Sequence, residues 1–188
     1  MGPVMTAERA SSDDEVLART RAWLEKAVIG LNLCPFAKAV YVKQQVRLVV
    51  SQARHVDDLL EELDRELDLL VQTPAEQIDT TLIVHPTLFP DFLDFNDFLE
   101  FADRVLDEHG LEGVIQIASF HPQFQFEGTE PEDMGNYTNR APYATLHLLR
   151  EDSVERAVDG LADPDAIYQD NIRTLEKLGL EGWKKLGL

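Results

Sequence analysis

The chain has only one cysteine, Cys34, so it forms no internal disulfide and carries a single free thiol. Long apolar runs are missing as well. None approaches the roughly 20 residues needed to span a bilayer. The opening MGPVMTAERASSDDE lacks the apolar stretch of a secretory signal. Together these absences set the expectation of a cytoplasmic protein without a membrane partner. Basic residues are scarce: 17 Lys and Arg against 35 Asp and Glu leave a formal net charge of −18. A field of that sign repels phosphate backbones, so nucleic acid is not an expected partner. The surplus acids concentrate on helix faces such as Asp57-Asp58 and Glu61-Glu62, where they solubilise the surface. A phosphate-cradling glycine loop is also lacking, because Gly110-Leu-Glu-Gly113 precedes a strand-like run instead of following one. There is no internal repeat, linker or low-complexity block.

What is present reads as one domain. The chain's 188 residues suffice for a sizeable core. Residues 1–11 read as a flexible N-terminal tail, and 12–188 as a single α/β domain. Ser12 with Glu15 resembles a capping box. From there Val16, Thr20, Trp23, Leu24, Ala27 and Val28 recur at helical spacing until the helix fails near Gly30 to Leu33. Strand-like runs follow at 46–51, 80–85, 114–120 and 145–150. Between them lie amphipathic helices at about 56–71 and 92–109, and after them come a short helix near 153–158 and a last one stopping near Gly179. About four strands alternating with four to five helices argue for βαβ units and a largely parallel or mixed sheet. The direction of the fourth strand stays open, because a long loop can return it either way.

That loop, at 121–143, is the expected functional segment. Its first twenty or so residues show neither helical nor strand periodicity, yet they are dense in chemical groups. Structureless loops of this length inside a compact domain are uncommon and often cover a binding site. Two strands leave the sheet at the same dipeptide, His85-Pro86 and His121-Pro122. Proline cannot continue a central ladder. If the two strands run parallel, both imidazoles lie at the carboxyl edge, where open α/β sheets bind ligands.

Three readings follow. In the first, His85, His121 and a loop carboxylate such as Glu127 hold a divalent metal such as zinc, with Cys34 as a further ligand. In the second, a histidine is general acid or base and Cys34 a nucleophile. In the third, the histidines bond to backbone and Cys34 packs as a small hydrophobe. Arg140 is a candidate anchor for an anionic group, or else a neutraliser of its own acidic loop. Asn136, Asn139 and Tyr143 are candidate substrate-binding groups. The leading expectation is a hydrolase-type enzyme acting on a small polar or anionic metabolite. The alternative is a non-catalytic binding module for a small molecule or a protein. Oligomeric state is not legible.

The segments Ala22–Ala37, Thr81-Leu-Ile-Val-His-Pro86, Ser119-Phe-His-Pro122, Asn139-Arg-Ala-Pro-Tyr143 and Leu146–Glu151 resemble blocks of the uncharacterised bacterial family known as domain of unknown function 1415. The resemblance spans roughly residues 16–180. It implies a small bacterial cytosolic protein and supplies no activity, cofactor or catalytic residue.

Overall fold

The computed structural model describes residues 2–161 and 163–188, with side chains from residue 12 onward. Helix α1 (Gly2–Trp23) runs through Ser12, so Ser12 lies within a helix and does not begin one. A π-helical turn at Leu24–Ile29 ends this first helical stretch, and a short α2 (Ala37–Val42), not anticipated from periodicity, leads to β1 (Val46–Val50). Then come α3 (Val56–Gln72), β2 (Thr80–His85), α4 (Phe92–Glu108) and β3 (Ile115–Phe120). A 3-10 helix at Met134–Asn139 lies inside the long loop. It is followed by β4 (Ala144–Arg150), α5 (Glu151–Val158) and α6 (Ala166–Lys184). The helix expected to stop near Gly179 kinks there and continues. Gly179 sits at φ 69° and ψ 172°, a combination essentially confined to glycine.

The four strands form one mixed sheet in the order β1-β2-β4-β3. β1 and β2 are parallel, while β4 lies antiparallel between β2 and β3. β1, β2 and β3 therefore point the same way and β4 points back. The α3 and α4 stripes cover one face. Leu59, Leu63, Leu67 and Leu70 of α3 and Phe95, Phe98 and Ala102 of α4 pack on Ile83, Ile115, Leu146 and Leu148. α1 and the π turn cover the other, with Trp23, Leu24, Ala27 and Val28 against Leu82 and Val84. Residues alternate between the two faces because successive strand side chains point opposite ways.

Polar groups close the seams. Asp91 caps α4 by accepting the Leu93 N–H at 2.7 Å. The Arg150 guanidinium reaches the end of α3 and donates to the carbonyls of Leu70, Thr73 and Ile78, where cationic donors are favoured. Glu66 of α3 takes a two-point contact from Arg47 of β1 at 2.9 and 3.0 Å. Asn171 of α6 donates to the Leu33 carbonyl at 2.9 Å, tying α6 to the turn after the first helix.

Leu63 is fully buried at the α3–sheet contact. Leu63→Ala is expected to cost about 2–5 kcal/mol, read as a lowered midpoint in urea with an unchanged slope.

Candidate functional site

The strand directions bring His85 and His121 to the same edge of the sheet. They also share a face. His85 follows Ile83 by two residues, His121 follows Ser119 by two, and both Ile83 and Ser119 pair with Leu146 of β4. The two backbones flank the start of β4, about 10 Å apart across two strand spacings. Both side chains are almost fully buried, at 3% and 1% exposure.

The two His-Pro units make the same local bond. His85 Nδ1 accepts the N–H groups of Thr87 at 3.3 Å and Leu88 at 2.8 Å. His121 Nδ1 accepts the N–H of Gln123 at 2.9 Å. Each imidazole thus satisfies donors that the end of the ladder would leave orphaned, as Asn and Asp side chains do in turns. Because Nδ1 accepts, the proton sits on Nε2. His121 Nε2 donates to the Phe89 carbonyl at 2.8 Å, so both of its nitrogens are committed. Its ring lies 5.5 and 5.4 Å from those of Phe92 and Phe95. Phe89 holds a left-handed φ of 61°, a strained state for a bulky residue, at the point where its carbonyl receives this bond. His85 Nε2 has no hydrogen-bond partner. The Ala53 backbone and the Glu62 carboxylate act on that ring, yet burial outweighs them and lowers its pKa.

The other candidates are dispersed. Cys34 packs against the cluster that contains Trp23, Leu24 and Leu82 on the α1 face, the opposite side of the sheet from the histidines. Glu127 is exposed in the loop. Among the described residues no group of three or more His, Cys, Asp or Glu is placed to hold a metal ion, so His85, His121 and Glu127 are not brought together as a ligand set. Asn136, wholly buried, organises the loop: its amide donates to the Glu130 carbonyl and accepts from Phe126 N–H and the Thr129 hydroxyl. Asn139 donates to the Ser119 carbonyl, and its own carbonyl accepts the His121 N–H. These two side chains are spent on architecture.

Arg140 and Tyr143 are placed differently. Arg140 donates to the carbonyls of Phe124 and Pro131, and its guanidinium carbon lies 4.3 Å from the centre of the Tyr137 ring. Tyr143 accepts a bond from Arg19 of α1 at 3.3 Å, and the Arg19 guanidinium carbon lies 5.2 Å from its ring centre. Two cavities open beside the loop. The larger, about 570 Å³, is lined by Asp91, Phe92, Gln123, Glu132, Tyr137 and Arg140 among others. The smaller, about 240 Å³, is lined by Arg19, Trp23, Pro122, Tyr137, Arg140, Ala141, Pro142, Trp183 and Leu188. Tyr137 and Arg140 border both, whereas His85, His121 and Cys34 border neither.

Residues 15–185 match the model of the family described as "Protein of unknown function (DUF1415)". The chain belongs to that family. No curated protein and no solved structure matches this DUF1415 chain. No helix among its described residues is long and apolar enough to cross a membrane.

Trp183 is expected from the sequence only to pack its tail back on the body, and Arg19 carries no expectation; neither is legible as a site residue. They lie 164 positions apart, on α1 and α6, and converge only in the folded chain. The available signal was the scarcity of tryptophan: the chain has two, Trp23 and Trp183, and both border the smaller cavity.

Burial pushes the pKa of His85 and His121 below 6.5 and that of His147 down to about 4. His147 Nε2 meets the Thr80 hydroxyl at 2.7 Å, and that hydroxyl donates to the Leu148 carbonyl. In the unfolded chain each imidazole returns to about 6.5. As pH falls below that value the unfolded state takes up protons the folded state refuses. Their contribution is therefore complete above about 6.5 and lost on acidification. His109, whose pKa is raised by its hydrogen bond to Asp64, has the opposite sign, but a surface pair of this kind counts for little. The melting temperature is expected to fall from pH 6.5 to 5, above the main carboxylate range, and His147→Gln to flatten that slope. His121→Ala is expected to cost about 1–3 kcal/mol for each of the two backbone groups it orphans, measured by equilibrium unfolding.

Proposed function

We propose that this protein binds a small anionic metabolite in the smaller cavity, with Arg19 and Arg140 receiving its carboxylate or phosphate. One observation carries the reading. In a chain with 35 acidic and 17 basic residues, this cavity is bordered by two arginines and, among the described residues, by no Asp or Glu. Neither guanidinium is in an ion pair among the described residues. Each is instead held against a tyrosine face, which orients its planar fork while leaving N–H donors unspent. Such a fork matches the geometry of a carboxylate or phosphate. The net negative charge does not defeat this. Screening over about 8 Å at physiological salt leaves the adjacent cations dominant.

A hydrolase-type acid–base enzyme is the second reading, favoured by the unpartnered Nε2 of His85. It ranks below binding because His85 borders neither cavity.

The test is a panel of small mono- and dicarboxylates with inorganic phosphate, titrated against tryptophan fluorescence, since both tryptophans border the cavity. At least one anion is expected to perturb the emission saturably. Arg19→Gln is expected to weaken it by tenfold or more while leaving the melting temperature unchanged, because Arg19 is exposed. A panel without effect would defeat the proposal.

A further inference from the structure

We infer that the anion is carried on a flat, unsaturated ring, which makes an aromatic carboxylate the ligand class. This inference rests on the anion-binding reading and adds the shape of the ligand's body. The cations lie among flat and rigid walls. Tyr137 and Trp183, both half-buried, meet edge to face at 5.0 Å. Trp23 lies at the edge of the same space, almost fully buried and edge to face on Phe120 at 5.0 Å. Pro122, Ala141 and Pro142 add surfaces with little rotamer freedom. Tyr137 and Trp183 border a void and do not fill it, although burying an aromatic ring in close packing is strongly favourable.

The cavity, about 240 Å³, admits one six-membered ring with its carboxylate. Charge narrows the class, since cations placed beside aromatic walls suit a planar anion with one polar end. Contact with two ring faces or edges corresponds to about tenfold in affinity over an equally charged ligand without a π face.

The experiment compares benzoate with cyclohexanecarboxylate, which share ring size and charge and differ in planarity. Uniformly ¹⁵N-labelled protein offers two indole N–H resonances, from Trp23 and Trp183, and both report on the cavity. Benzoate is expected to shift them with about tenfold higher affinity than cyclohexanecarboxylate. Trp183→Leu should bring that ratio close to one, followed on Trp23, with little change for the saturated acid. Trp183→Phe, which keeps a ring, should retain most of the preference and controls for folding. Equal affinities of the two acids in the unaltered protein would overturn the ring inference and leave anion binding standing. So would a response to phosphate with none to either acid. No response to any anion would overturn both.

Discussion

Where a strand ends inside a covered sheet, its following N–H groups lose their ladder acceptors and are still shielded from water. Here an imidazole nitrogen supplies the acceptor at two such exits. His85 and His121 each turn the chain by accepting backbone N–H groups just beyond a proline. The segment before α4 and the start of the 121–143 loop take their paths from those two bonds. His121 then links them, since its other nitrogen reaches the Phe89 carbonyl. The wall that Phe92, Pro122 and Gln123 give to the larger cavity is set by the same arrangement. The histidines thus shape the site without entering it.

A second economy concerns charge. The chain's charge is mostly acidic, yet among the described arginines only Arg47 and Arg173 pair with a carboxylate. Arg19 and Arg140 are held by tyrosine faces and, for Arg140, by backbone carbonyls. Holding a cation by its ring contacts and by neutral oxygens preserves its charge for something else. That separates a poised cation from a neutralised one.

Much of the framework was legible in the sequence because apolar periodicity records burial directly. β2 was read at its observed bounds, and α3 and α4 within a residue or two, since their leucine and phenylalanine stripes face one sheet surface. The shared edge of the two histidines was legible from the repeated His-Pro exits. What those imidazoles bond to was not, because a local turn bond and a ligand bond leave the same residue type in the sequence. The face of the sheet that Cys34 occupies depends on the turn after the π segment, whose geometry no periodicity encodes. Arg140 and Tyr143 were legible as loop residues. Arg19, which contacts Tyr143, and Trp183, which contacts Tyr137, were not legible as site residues, because they are supplied by helices at opposite ends of the chain.

The reversed β4 has a kinetic meaning. The sheet consists of an early pair, β1 with β2, and a late pair, β3 with β4, joined along the single seam between β2 and β4. Contacts there close long loops. Thr80 and His147, hydrogen-bonded across it, are 67 residues apart. Neither half can complete the layer between the helices until that closure has been made. Distant pairings of this kind raise the entropic barrier to folding and slow it relative to local ones. A chain leaving the ribosome holds its first half-sheet with an unpaired edge on β2 until nearly all of it has been synthesised.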